Sequence, residues 1–284
     1  TGRMTGGLAQ ANILLSTIMG GMSGSSNADA TMEAKVLVPP MEKSGLSKPF
    51  STVITAFSSI ITPLIPPGIG MILYGTLANA SIGSLFMWGL SIGAFMCVSM
   101  IGLTEIIAKK RGYTPYRRER ATAKEWKRVL KLSWPALMLP VVIIGSIRVG
   151  AVSPFEAGAV AVVYSLILGI VWGEIDGKKF IKAMRESAST IGALMLIVAT
   201  AAIYSWILTK EQLPQVIAEA LLGSVSNKYV FLLVVNLFLL LVGMLMEGAA
   251  ATIILVPLLA PIAQMYGIDL AHFGMVVVFN MSIG

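Results

Sequence analysis

Two carboxylates sit inside apolar, small-residue sequence, and each is followed at the same distance by Leu-Val-Pro. Asp29 precedes Leu37, Val38 and Pro39, and Glu247 precedes Leu255, Val256 and Pro257. A charged side chain at mid-bilayer costs about 2.5 to 3.5 kcal/mol, so two at matched positions point to an ion or substrate site. Beside Asp29 lie Ser23, Gly24, Ser25, Ser26 and Asn27, with the run Thr62-Pro63-Leu64-Ile65-Pro66-Pro67-Gly68 further on. Beside Glu247 lie Gly248 and Thr252, with Asn280 and Ser282 downstream. Hydroxyl, amide, carbonyl and carboxylate oxygens of this kind suit a hard cation, and sodium is the one expected here. Two plainer readings stand beside this one. The Ser-Gly-Ser-Ser-Asn cluster could let helices approach closely, and either acid could cap the helix that follows it.

Other chemistries lack their residues. His272 is the single histidine, so neither a histidine metal cluster nor a Ser-His-Asp triad can be built. No GxxxxGK[ST] loop is present, which argues against ATP chemistry, and no cofactor is expected. Cys97 is the lone cysteine and reads as a buried thiol. Ser153 with Glu156, around Pro154, reads as a capping box. Arg148 at a helix end fits snorkelling or a docking contact better than an anion site.

The elements that must hold the two tips are membrane helices. The 284 residues are 56% hydrophobic and 12% charged, with mean hydropathy +0.83. Apolar runs near 85 to 107, 134 to 151, 155 to 173, 187 to 208 and 229 to 246 are continuous rather than alternating, as helices require and barrel strands do not. The formal charge of +7 marks orientation rather than nucleic-acid binding. All of the 21 Lys and Arg residues except Arg148, Lys210 and Lys228 fall in three groups, at 3 to 48, 109 to 131 and 178 to 185. By the positive-inside rule these groups are cytoplasmic.

The resulting layout is all-α and polytopic, with inverted repeats, two re-entrant hairpins and broken spanning helices. Residues 1–49 form a first hairpin opening to the cytoplasm, and 50–107 a helix broken at Thr62 to Gly68 plus a returning helix. Residues 108–133 form a basic cytoplasmic loop, and 134–186 a helix pair with a short basic amphipathic segment at 176 to 186. Residues 187–228 run outward to an external amphipathic piece, 229–267 form a second hairpin opening outward, and 268–284 begin a second broken helix. A chain that starts at Thr1 and stops inside an apolar run predicts a fragment of something longer.

Several ordered motifs together resemble the large membrane subunit of TRAP transporters, the DctM-like permeases. They are Gly6-Gly7-Leu8-Ala9, Ser23-Gly24-Ser25 through Ala28-Asp29, Ile65-Pro66-Pro67, Pro154-Phe155-Glu156-Ala157, and His272-Phe273-Gly274 through Asn280-Met281-Ser282-Ile283-Gly284. The resemblance implies a sodium-coupled elevator-type importer of small organic acids in the bacterial inner membrane. It also implies two partners, a periplasmic substrate-binding protein and a small DctQ-like membrane subunit, separate or fused. On that basis sodium is expected at Ser23, Gly24, Ser25, Asn27, Thr62 and Pro63, and at Glu247, Gly248, Thr252 and Asn280. Substrate is expected near Ser26, Asp29, Pro66 and Pro67. Glu247 stands where the family commonly has Asp, the usual Thr-Pro-Pro is missing after Gly284, and about a first quarter of the family's length is absent. A standalone dicarboxylate symporter and an intramembrane enzyme using Asp29 and Glu247 as acid and base are the competing readings.

Overall fold

A computed structural model describes residues 4–115, 122–224 and 227–284. Thirteen α-helices account for most of them, and among the described residues the β pairing is a single antiparallel bridge between Thr5 and Pro115. The chain divides into two compact units, Thr1–Gly68 with Phe86–Ala161, and Ile69–Leu85 with Val162–Gly284.

The first unit opens with α1 (Gly7–Ser23), α2 (Ser26–Val36), α3 (Val38–Lys43) and α4 (Lys48–Ser58), which tightens into a 3-10 segment, Ser59–Leu64. Pro63 lies inside that 3-10 segment, and the extended break begins only at Ile65 and includes a cis Pro66–Pro67 bond. The 3-10 segment packs on both α1 and α2. The close approach depends on Gly20 of α1, where a Cβ would stand 2.7 Å from Ile65 Cβ and 2.8 Å from the Thr62 carbonyl oxygen. Ala9, Ile13, Met41, Phe50 and Ile61 fill the apolar centre, with Cys97 buried against it as expected.

The second unit contains α5 (Ile69–Leu77), α9 (Gly177–Lys210), α10 (Leu213–Ser224), α11 (Lys228–Gly243), α12 (Gly248–Met265) and α13 (Leu270–Ile283). Helix α12 packs on α5, α9, α10 and α13. Phe231 stacks on Tyr266 at 4.3 Å between centroids, and the backbone of Gly274 lies against the Tyr74 ring. Helices α6 (Ile82–Lys110) and α8 (Pro154–Val171) run from one unit into the other, while α7 (Ala123–Arg148) belongs to the first.

By length and composition, Ile82–Lys110, Gly177–Leu208 and Gly248–Met265 can each cross a bilayer, and Lys48–Leu64 with Ile69–Leu77 makes a fourth crossing if taken as one broken span. Apolar side chains cover the outside of α6, with Phe95 70% and Val98 71% exposed, as lipid contact permits and water would not. The protein is a multi-pass α-helical membrane protein.

The structure corrects three details of the sequence reading. The basic stretch 108–133 is a loop only in its middle: α6 continues to Lys110, and α7 begins at Ala123 behind a capping box of Thr122 and Glu125, so Lys127, Arg128 and Lys131 are helical. Residues 116–121 fall outside the described residues. The segment at 176–186 is not separate from the helix after it, because nothing between Lys178 and Lys210 breaks the pattern and α9 runs through as 34 residues. The expected capping box at Ser153 and Glu156 is present, the backbone N–H of Ser153 donating to Glu156 Oε2 at 2.7 Å and that of Glu156 to Ser153 Oγ at 3.3 Å.

The third correction concerns the internal repeat. Asp29 and Glu247 are not structural counterparts: Ser25 caps α2 by accepting from the Ala28 N–H, and Glu247 caps α12 by accepting from the Ala250 N–H. The interval from Ser25 to Glu247 recurs from Gly45 to Gly267, both with positive φ (91° and 68°), and from Ser47 to Asp269, which precede α4 and α13. The turn bonds repeat as well, from Leu46 N–H to the Met41 carbonyl at 3.1 Å and from Ile268 N–H to the Ala263 carbonyl at 3.0 Å. The Leu-Val-Pro match was offset by about one helical turn, which leaves the acids on different rungs.

Candidate functional site

The first tip is tighter than its sequence suggests. Helix α1 ends on Gly24 (φ 60°), whose N–H returns to the Gly20 carbonyl, and α2 starts immediately, so the non-helical turn is Gly24 and Ser25 alone. A left-handed residue at this junction is a place where glycine carries no Cβ penalty. Ser26 is the first helical residue, Asn27 is exposed, and Asp29 is buried at 1% exposure one turn into α2. Ser23 Oγ is buried with no hydrogen-bond partner among the described groups.

Asp29 meets the proline break. The Thr62 hydroxyl donates to Asp29 Oδ2 at 2.7 Å and lies 3.2 Å from the Ser16 carbonyl oxygen. Thr62, Pro63 and Pro66 are buried in the same region, where the 3-10 segment packs on α1 and α2. The structure therefore brings together the first tip and the break, two segments that the sequence separates by more than thirty residues.

One turn deeper on α2 lies an acid the sequence reading passed over. Glu33 is fully buried, and its Oε2 accepts from Asn12 Nδ2 at 2.7 Å and Ser16 Oγ at 2.9 Å, with Ser58 Oγ at 3.4 Å. Asn12 Nδ2 also reaches Ser58 Oγ at 2.8 Å, and Thr55 Oγ1 donates to Asn12 Oδ1 at 3.4 Å. A sequence signal existed: Asp29 and Glu33 are four residues apart, as are Asn12 and Ser16, so each pair shares a helix face.

The second tip is built differently. Glu247 is exposed and serves as the N-cap of α12, with Oε2 3.1 Å from the Ala250 nitrogen. Thr252 is buried and donates to the Gly248 carbonyl oxygen within its own helix at 2.7 Å. Asn280 is buried, but its amide donates to Asn236 Oδ1 at 2.6 Å and to the Val276 carbonyl oxygen at 2.7 Å, so its nearest side-chain partner is on α11. The end of α13 reaches the tip through backbone: a Cβ on Gly248 would lie 3.4 Å from Met281 Cβ, and one on Gly243 would lie 3.0 Å from Gly284 Cα. The Asn236–Asn280 bond was not anticipated, and an asparagine in the leucine-rich sequence of α11 was its only signal.

The two tips differ in how they could hold a cation. At the first, Asp29 and Thr62 are joined by a buried hydrogen bond, and Ser23 Oγ and Asp29 Oδ1 are each buried with no hydrogen-bond partner, as oxygens available to a hard cation would be. At the second, Glu247 and Thr252 are already bonded to their own helix. Among the described residues no group of three or more His, Cys, Asp and Glu side chains is placed to hold a metal. The side chain of Arg148 lies outside the described residues.

Comparison with known proteins adds the remaining constraint. The family model for the DctM component of the tripartite ATP-independent periplasmic transporters matches residues 1–284. The sialic acid TRAP transporter large permease protein SiaM of Vibrio cholerae is 37% identical over all of this chain and 66% of that protein. The isethionate TRAP transporter permease protein DctMQ of Oleidesulfovibrio alaskensis is 36% identical over all of this chain and 45% of that protein. The C4-dicarboxylate TRAP transporter large permease protein DctM of Pseudomonas aeruginosa is 35% identical, again over all of this chain and 66% of that protein. The chain thus spans about two thirds or less of the length of these relatives.

Proposed function

We propose, for a chain that belongs to the DctM-component family of the tripartite ATP-independent periplasmic transporters, that it forms the core of the large permease subunit of a sodium-coupled importer of small organic anions. The family consists of transporter components and not enzymes, which sets aside acid–base catalysis by Asp29 and Glu247. In this reading the protein lies in a bacterial inner membrane. It receives its substrate from a periplasmic binding protein and works with a small membrane subunit, a pairing that the name DctMQ of one relative supports.

The observation that carries the reading is the meeting of the first tip with the proline break. Irregular backbone is tolerated at membrane depth where protein covers it or where it lines a wet cavity, and half-helix ends with free carbonyls are places for coupling ions. Here the turn at Gly24 and Ser25 joins α1 and α2, both of which pack on the 3-10 segment that leads into the proline break, and Thr62 of that segment donates to Asp29. Sodium would be held by Ser23, Gly24, Ser25, Asn27, Thr62 and Pro63, and at the second tip by Glu247, Gly248, Thr252 and Asn280. Ser26, Asp29, Pro66 and Pro67 would border the substrate. The two helix–turn–helix pairs are read as re-entrant hairpins of opposite orientation, moving with the substrate in an elevator cycle.

Sialic acid, C4-dicarboxylate and isethionate, named for the relatives, share a small size and at least one negative charge. A sodium ion at the first tip would complement that charge. The test is uptake of a labelled panel of such acids by the full-length subunit and its small partner in proteoliposomes, with and without a sodium gradient and the cognate binding protein. Uptake requiring both supports the reading. Uptake with sodium alone indicates a standalone symporter, and uptake indifferent to sodium overturns the coupling.

A further inference from the structure

We propose that a membrane phospholipid occupies the cavity between α9 and α12, with one acyl chain in the cavity and the phosphate beside Lys210. The cavity lies wholly within the second unit, and none of the residues assigned above to sodium or substrate lines it.

The argument begins with shape. The cavity holds about 590 Å³ and is bounded by residues 198–206 of α9, by residues 253–264 of α12 and by the end of α5 at Asn79. The lining positions on α12 recur every three or four residues, so one face of that helix borders the space along its length. At 1.5 Å per residue the α12 stretch covers about 16 Å and the α9 stretch about 12 Å. One leaflet of the hydrocarbon core is about 15 Å deep, so the space matches a single extended acyl chain. The short side chains of Ala201, Ala202 and Ala260 keep it open. It also opens toward lipid: Ala202 is exposed, and Ile203 and Trp206 beside it are 64% and 62% exposed, so a chain enters from the bilayer without crossing polar surface.

Polarity then selects an amphiphile. The layout read from the basic residues sends α5, α9 and α12 toward the same outer face, and the proposal rests on that layout. Each helix contributes its C-terminal part, so Asn79, Trp206 and Gln264 stand at the outer end of the cavity, while Val198, Ala201 and Ile253 stand at the inner end. Pockets of this make-up, apolar with a few polar groups at one end, bind and orient ligands that are themselves two-ended. Lys210 is exposed one turn beyond Trp206, with Nζ 4.9 Å from the centroid of that ring. Tryptophan and lysine at a helix end anchor at headgroup depth, which puts a positive charge where a lipid phosphate would lie. Glu211 follows Lys210, and Asp269 precedes the lining residue Leu270; both are exposed, so the mouth carries both signs and suits a zwitterionic headgroup.

The site is tested on the full-length subunit with its small partner, in detergent micelles containing a low mole fraction of phosphatidylethanolamine that carries a diazirine on one acyl chain, by photolysis and peptide mapping. The expected result is labelling concentrated on peptides containing residues 198–206 and 253–264 and saturating at one probe per protein. Ala202→Phe, which fills the space from an exposed position, should largely abolish that labelling. Lys210→Ala should weaken it about fivefold, the contribution of one lysine near a lipid phosphate. Val98→Phe, on the exposed face of α6, should leave it unchanged. Unsaturable labelling spread over the exposed faces of α6 and α9 overturns the proposal, as does saturable labelling that survives Ala202→Phe. Cavity peptides that stay unlabelled while α6 is labelled show that protein fills the space, be it further polypeptide, the small subunit or a second copy, and overturn it too. Equal labelling by a diazirine diacylglycerol, which lacks the phosphate, overturns the assignment to a phospholipid. The map of the unaltered protein decides the occupant even if a variant fails to fold, and it reads binding rather than uptake, so its failure is distinct from failure of the sodium-coupled reading.

Discussion

Removing the Thr62 hydroxyl tests whether the first tip and the proline break are joined by Asp29. Thr62→Val keeps the shape and burial of the side chain and deletes the donor that stands 2.7 Å from Asp29 Oδ2. The other oxygen of Asp29 has no partner to spare, so the loss cannot be redistributed within the carboxyl group. A hydrogen bond to a charged group contributes about 1.5 to 3 kcal/mol, against about 1 kcal/mol for a neutral pair, and leaving the acceptor unsatisfied brings the cost to the upper part of that range. The assay is equilibrium unfolding of the full-length protein in mixed micelles of graded denaturing detergent, with Thr62→Ser as the control that restores the hydroxyl. A double-mutant cycle with Asp29→Asn should return a coupling of about 1 kcal/mol or more. A Thr62→Val protein as stable as the unaltered one, or a cycle that closes within about 0.5 kcal/mol, would refute the contact.

Three further outcomes follow from particular contacts. Gly20→Ala should destabilise by about 1 to 3 kcal/mol in the same unfolding assay, because its methyl meets Ile65 and the Thr62 carbonyl below 3 Å, and should disturb the tip along with the fold. Gly45→Ala, at φ 91° with open space around it, should cost only the backbone strain of about 1 to 2 kcal/mol. Asn236→Ala and Asn280→Ala should be clearly less damaging together than the sum of the two alone, since each strands the other's amide in the unfolding assay. Ser47→Ala should raise the titration midpoint of Tyr113, read from phenolate absorbance, because the Ser47 hydroxyl at 2.9 Å is the main group holding that phenol below its ordinary value of 10.0.

The long apolar runs and their breakers were legible because they are local. Continuous Leu, Ile, Val and Ala found α6, α8 and α11, and Ser153 with Glu156 identified the start of α8. The reading went wrong where a local cue had no physical force. Basic residues at 178 to 185 suggested a separate surface segment, but charge alone does not end a helix, and α9 continues through them. The Leu-Val-Pro match suggested which acids correspond, whereas the true register is set by caps and turns, Ser25 with Glu247 and Gly45 with Gly267. Glu33 escaped notice for a different reason. Its partners Asn12 and Ser58 are 21 and 25 residues away in sequence, and only folding of α1 and α4 around α2 makes them neighbours. The bond between Asn236 and Asn280, 44 residues apart, is hidden in the same way.

The central claim is that the first tip and the proline break together hold sodium. Equilibrium binding of radioactive sodium to the purified full-length subunit with its small partner tests it most directly, comparing the unaltered protein with Ser25→Ala and Thr62→Val in potassium-matched buffer. The account predicts saturable binding that potassium does not displace, weakened at least tenfold by either substitution, as about 1.4 kcal/mol of lost interaction requires. Sodium binding equally tight in all three proteins, or none in any, would contradict it.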